Sequence, residues 1–165
     1  MKSVIIIRHA KSSWDHIGVD DFDRPLNERG KEDAPRMAKR LLERNVTIDA
    51  FISSSAKRAR KTAAIFIKEF GGGKDDVLLL PELYLAGPDA FYNAIAQAPS
   101  SANTIALFAH NPGITDFANE LTDVRIDDMP TCAIFAVKAD IQNWSQFRDA
   151  EKQYWFFDYP KAKLG

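Results

Sequence analysis

Val4-Ile5-Ile6-Ile7-Arg8-His9 opens the chain with a β-branched run that breaks off at two polar side chains. Four consecutive branched apolar residues read as a strand buried on both faces, the habit of parallel sheets. The pattern then changes period. Ala34, Met37, Ala38, Leu41 and Leu42 recur at helical spacing, with Asn27 as the cap upstream. Pro35 must lie in the first turn of that helix or kink it. Asp49–Ser53 reads as a second strand. Ala59, Thr62, Ala63, Phe66, Ile67 and Phe70 form a second helix face, stopped by Gly71-Gly72-Gly73. Val77–Leu80 is a third strand ended by Pro81, residues 88–98 are helical, and Thr104–Ala109 is a fourth strand. Pro112 suits the first position of the next helix. Thr131–Lys138 and Tyr154–Asp158 read as two last strands. Residues 10–26 read as a polar loop anchored by Trp14 and Phe22. This alternation predicts an α/β fold: a three-layer sandwich with a mostly parallel central sheet and helices on both faces.

Composition narrows the function classes. The chain has 165 residues, 45% apolar and 27% charged, a globular profile that excludes disordered and fibrous classes. Residues 1–165 are expected to form a single domain. One cysteine, Cys132, permits neither an internal disulfide nor a cysteine metal cluster, and fits a reducing cytoplasm. The apolar run before Arg8 is too short for a signal-peptide core or a membrane span, so no membrane association is expected. A net charge of −1 gives no global attraction to nucleic acid. The charge is uneven, however: residues 1–62 hold 14 Lys and Arg against 9 Asp and Glu, and the remainder 8 against 14. That imbalance suits an anionic ligand, or is scattered surface charge.

In such sheets ligands bind beyond the carboxyl ends of the strands. The first strand ends in Arg8-His9. The second runs into Ser53-Ser54-Ser55-Ala56-Lys57-Arg58-Ala59, and the fourth into Ala109-His110-Asn111-Pro112-Gly113. Parallel strands would bring two histidines and two arginines to one edge. Composition alone reads Arg58 as one solvated charge among Lys57, Arg60 and Lys61; these neighbours keep that reading. His16 takes no role. Gly71-Gly72-Gly73-Lys74 lacks the spacing of a phosphate loop and ends a helix where such a loop starts one.

Arg8-His9-Ala10-Lys11-Ser12-Ser13-Trp14, Asp21-Phe22-Asp23-Arg24-Pro25-Leu26-Asn27-Glu28-Arg29-Gly30, the Ser54-x-x-x-Arg58-Ala59-x-x-Thr62 spacing and His110-Asn111-Pro112-Gly113 together resemble the histidine phosphatase (phosphoglycerate mutase-like) superfamily. Within it they look like the small SixA-type phosphohistidine phosphatases, and the motifs run in order through the chain. The family pattern has Gly where this chain has Ala109.

The resemblance implies that His9 is the nucleophile that accepts a phosphoryl group. An imidazole attacks only through an unprotonated nitrogen, so cationic neighbours should lower its pKa and a carbonyl should fix its tautomer. Arg8 and Arg58 would grip phosphate oxygens in two-pronged fashion, with His110 completing the phosphate pocket. Glu82 is the candidate for protonating the leaving atom, or is a surface carboxylate. Lys11 and Ser12 are weaker candidates for substrate contact. No metal or other cofactor is expected, because two arginines at one place repel a dication. The implied enzyme is a cytoplasmic, monomeric phosphatase acting through a phosphohistidine intermediate. Its partner would be a phosphorylated protein, with phosphohistidine on a phosphotransfer or signalling domain. The alternatives are a phosphomonoesterase for a small phosphate ester and a non-catalytic phosphohistidine-binding module.

Overall fold

β1 (Lys2–Arg8) sends Ile5 and Ile7 into one core and Val4 and Ile6 into another, as the two-residue period of a strand demands. β4 (Thr104–Ala109) and β5 (Ile134–Ala139) divide their side chains in the same way. The sheet is therefore covered on both faces. α1 (Glu28–Glu43) and α2 (Lys57–Glu69) pack on one side, and α3 (Pro88–Ala96) and α4 (Gly113–Leu121) on the other. With β2 (Ala50–Ser54), β3 (Val77–Leu80) and β6 (Lys152–Asp158) the strand order is β3-β2-β4-β1-β5-β6. The first four strands are mutually parallel, and the β1–β5 and β5–β6 pairs are antiparallel. This is the expected α/β three-layer arrangement with a mostly parallel sheet. It is seen in a computed structural model that describes residues 1–15 and 18–162; His16 lies outside the described residues. Among these, no helix is long and apolar enough to cross a membrane.

The site's location follows from this order. β1 leads to α1 on one face, and its neighbour β4 leads to α4 on the other. Chain leaving two adjacent strands in opposite directions opens a crevice at their carboxyl ends. The buried Arg40–Asp158 pair, 2.6 Å apart, ties α1 to β6 at the far edge.

Two motif glycines have a steric cause. A Cβ on Gly30 would stand 2.2 Å from the Lys11 carbonyl oxygen, and one on Gly113 would stand 1.9 Å from that of Ala86. Each clash is with backbone, which cannot swing aside. Gly113→Ala is therefore expected to destabilise the fold by about 1–3 kcal/mol. A urea titration measures it, and an unchanged midpoint would show that the backbone yields freely.

Pro35 sits beyond the first turn of α1, where it leaves the Lys31 carbonyl without its helical donor. Two local expectations are corrected. Pro112 caps α4 from outside, and the helix begins at Gly113. The fifth strand starts at Ile134, not Thr131, because Cys132 takes a positive φ of 61° and donates its N–H to the carbonyls of Arg8 and His9.

Candidate active site

Arg8 pairs with Ala109 across β1 and β4, so His9 and His110 leave adjacent strands at the same level. The His9 N–H donates to the Ala109 carbonyl at 3.1 Å. Both imidazoles are buried, with ring centroids 5.1 Å apart and planes tilted by 51°.

His9 Nδ1 lies 2.7 Å from the Ala10 carbonyl oxygen. A carbonyl only accepts, so Nδ1 carries the hydrogen and Nε2 keeps a lone pair. Arg58 Nε donates to that Nε2 at 3.4 Å. The helical spacing explains how Arg58 reaches it. Thr62, one turn on, donates its hydroxyl to the Arg58 carbonyl at 2.7 Å and accepts from the Ala10 N–H at 2.9 Å. The first turns of α2 are thereby bolted to the backbone beside His9.

His110 is held from β2. Its Nε2 lies 2.8 Å from Ser54 Oγ, which also accepts from the Ala56 N–H at 3.2 Å. Its Nδ1 is a buried atom with no partner among the described residues. Arg8 directs Nη1 to the Met129 carbonyl at 2.9 Å, and its buried Nε is likewise unpartnered among the described residues. Buried nitrogens without partners beside the Arg8 and Arg58 guanidiniums make a site suited to an anion. Among the described residues, no three His, Cys, Asp or Glu side chains are grouped to hold a metal ion.

Burial is the main reason that His9 is pushed down to about 3; His110, Arg58 and Arg8 add to the effect, against the pull of the Ala10 hydrogen bond. His110 also falls to about 3, first through burial and then through Arg58. The cationic neighbours act in the expected direction, but desolvation is the larger cause. Both rings are thus neutral at pH 7. Unfolded histidines take up protons near 6.5, whereas the folded ones refuse them until about 3. The unfolded state therefore binds more protons in that window, and stability falls as pH drops below 6.5. Imidazole NMR shifts of His9 and His110 are expected to stay flat from pH 8 to pH 5 while the urea midpoint declines. A titration near 6.5 at either ring would sink this electrostatic picture.

Three residues with no assigned role in the sequence reading complete the cluster. Asp21, in a 3-10 turn over Asp21–Asp23, accepts from Arg58 twice: Nη1 reaches its carbonyl at 2.7 Å and Nη2 its carboxylate at 3.1 Å. The Tyr84 hydroxyl donates to the same carboxylate, and Arg24 Nε reaches it at 3.0 Å. The tyrosine hydrogen bond is the first reason that Asp21 is held down at about 2. Tyr84 also stands edge-on to His110, with centroids 5.5 Å apart. No periodicity marks Asp21 or Tyr84 in sequence, since both lie in short turns outside regular elements.

The structure does not draw every expected residue in. Glu82 is exposed and has no hydrogen bond or ion pair to His9, His110, Arg8 or Arg58; Tyr84, two residues on, is the side chain of that turn that enters. Lys11 is exposed and lines a separate groove with Arg29, Asp33 and Tyr159. Ser12 is buried and accepts from Arg24 Nη1 at 2.5 Å, so its hydroxyl holds an arginine. Trp14 is not a buried anchor: it is 79% exposed and lies over the Arg24 guanidinium at 3.6 Å. Phe22 packs edge-on against Tyr84 at 5.0 Å.

Comparison with known proteins bears on the family and the fold. The profile described as histidine phosphatase superfamily (branch 1) matches residues 4–84. An uncharacterised protein of Mycobacterium leprae is 34% identical over 122 residues, covering 70% of this chain and 71% of its own. A SixA from Agrobacterium tumefaciens, a candidate phosphohistidine phosphatase, superposes with a TM-score of 0.80 at 26% identity, over 96% of this chain and 98% of its own. The protein histidine phosphatase SixA in complex with tungstate shares the fold, with a TM-score of 0.77 at 21% identity over 96% and 97% of the two chains. The architecture is that of a hydrolase superfamily active in phosphoryl transfer, and the chain belongs to the histidine phosphatase superfamily.

Proposed function

We propose that residues 1–165 act as one cytoplasmic phosphatase domain that removes the phosphoryl group from phosphohistidine on a protein, through a phospho-His9 intermediate. The observation that carries this reading is the presentation of His9: Nδ1–H on the Ala10 carbonyl, and Nε2 unprotonated beside the Arg58 guanidinium. In the first step His9 Nε2 bonds to phosphorus while the substrate P–N bond breaks, and its electron pair leaves on the substrate nitrogen. In the second, a water oxygen bonds to phosphorus and the P–Nε2 bond breaks. Its pair returns to His9, and a water proton passes to phosphate or solvent. Arg8, Arg58 and His110 are assigned to the equatorial oxygens, where charge must be held through both steps. That the protein histidine phosphatase SixA was solved with tungstate, a tetrahedral oxyanion, supports an anion site of this kind.

A protein substrate is supported by the mouth of the site. Trp14 and Leu85 stand 79% and 88% exposed, one over Arg24 and the other directly after Tyr84. Apolar side chains held in water at the edge of a polar cluster suit contact with another macromolecule. The buried lone thiol, Cys132, suits a reducing compartment.

A phosphohistidine can carry its own proton on the far ring nitrogen and leave as neutral imidazole, whereas an alkoxide needs a proton from the enzyme. Exposed Glu82 is thus assigned a minor part. Glu82→Gln is expected to leave turnover of a phosphohistidine peptide within about threefold, well short of the loss typical of a general acid. The function itself is tested by comparing kcat/KM for that peptide with 3-phosphoglycerate and p-nitrophenyl phosphate. Faster cleavage of either ester would move the assignment to a small phosphomonoester; binding of the peptide without turnover would make the protein a recognition module.

A further inference from the structure

α2 carries a stripe that the catalytic reading leaves unused. Lys57, Lys61, Ile65 and Lys68 recur at i, i+4, i+8 and i+11 and so share one face of the helix. They line a groove of about 500 Å³ with Lys31 of α1 and with Leu26 from the segment leading into α1. Ala64 and Ile65 supply apolar surface, the four lysines supply positive charge, and no carboxylate lines the groove. Among the described residues, Lys31 alone of the four has an ion pair, with exposed Glu28 at 3.6 Å. Four ammonium groups gathered around apolar side chains repel one another, and nothing in the described fold needs them there. They suit a ligand that is both anionic and partly apolar. Two lining residues are sequence neighbours of arginines in the His9 cluster. Lys57 directly precedes Arg58, and Pro25, also in the lining, directly follows Arg24.

We infer that this lysine-lined groove between α1 and α2 docks an acidic segment of the phosphorylated protein, with an apolar side chain set between Asp or Glu residues. The inference rests on the reading of the enzyme as a protein phosphohistidine phosphatase and names what that protein must present. An anionic bilayer would satisfy the lysines equally. It fits less well, because the lining is a recess of about 500 Å³ that a flat surface would leave unfilled.

The test uses two phosphohistidine peptides of equal length, one flanked by Asp, Glu and Leu and the other by Ser and Gly, against the wild-type protein and the double variant Lys61→Glu/Lys68→Glu. Both lysines are exposed and neither touches the His9 cluster. The wild type is expected to show a KM at least about tenfold lower for the acidic peptide at low salt, with the preference shrinking as salt rises. In the double variant the preference vanishes while p-nitrophenyl phosphate turnover and the urea midpoint hold. Equal KM values in the wild type, or a preference that survives charge reversal, overturn the inference and leave the phosphatase reading standing. Failure of the wild type to turn over either peptide counts against the phosphatase reading instead. The groove is then judged by fluorescence anisotropy with the unphosphorylated acidic peptide: binding lost in the double variant supports docking, and no binding overturns it. Lysine-dependent sedimentation with phosphatidylglycerol vesicles, without any peptide preference, would give the surface to a membrane and also overturn the inference.

Discussion

His9→Gln is expected to abolish turnover and the labelled phosphoenzyme together. Wild-type protein mixed with a phosphohistidine peptide carrying labelled phosphorus, then quenched in base, should retain label on the chain. The glutamine variant should retain none, and its kcat should fall by on the order of 10⁴-fold or more, as when a covalent nucleophile is removed. Glutamine is polar and of similar reach, so the neighbouring Arg58 and Thr62 contacts have the best chance of persisting; a circular dichroism melt checks the fold. The reasoning is local. Only one nitrogen in the cluster combines a lone pair, a fixed tautomer and a guanidinium donor at hydrogen-bond distance: His9 Nε2. His110 is the natural rival, since it is equally buried and neutral. Its Nε2, however, meets the Ser54 hydroxyl at 2.8 Å and no guanidinium, and no carbonyl fixes its tautomer as Ala10 fixes that of His9. His110→Gln is therefore expected to slow turnover while still trapping label. Label kept in His9→Gln and lost in His110→Gln would exchange the two roles.

The convergence of Arg8, His9, Arg58 and His110 was legible because each follows a strand or opens a helix whose pattern is strong. A β-branched run marked β1, the helical recurrence of Ala59, Thr62, Ala63, Phe66, Ile67 and Phe70 marked α2, the parallel rule brought the strand ends to one edge, and the family spacing drew in Arg58. Local reading was weakest where tertiary hydrogen bonds override pattern. Thr131-Cys132-Ala133 continues an apolar run, yet Cys132 turns to positive φ because its N–H serves the carbonyls of Arg8 and His9. Asp21, Tyr84 and Arg24 carry no periodic signal, and their meeting depends on the two short turns at Asp21–Asp23 and Pro81–Leu83. Trp14 shows the limit of composition: a large aromatic in a loop suggests an anchor, but a guanidinium face gives it a partner in open water. The lysines of α2 were legible as charge and not as a groove, since the groove exists only once α1 lies alongside.

Arg58→Ala is expected to lower kcat/KM by about 10²–10³-fold, or 3–4 kcal/mol of transition-state stabilisation, the usual loss when one donor to developing charge is removed. Three of the guanidinium's five N–H groups are engaged: Nε on His9, Nη1 on the Asp21 carbonyl and Nη2 on the Asp21 carboxylate. An incoming phosphoryl group can take the two remaining N–H groups and competes with Asp21 for Nη2. The exchange is feasible because the carboxylate is about half exposed in a short turn and keeps Arg24 and Tyr84 as partners when Arg58 leaves it. A transferring phosphoryl group spreads more negative charge than a single carboxylate, so the arginine gains by switching, and the gain is largest where charge is most developed. The loss in Arg58→Ala should therefore appear mainly in kcat, with a smaller rise in KM. Arg60→Ala, two residues along the same helix and outside the cluster, is the control and should stay near wild type. Equal losses in the two variants would reduce Arg58 to surface charge. A loss confined to KM would make it a binding residue that does nothing further for the reaction.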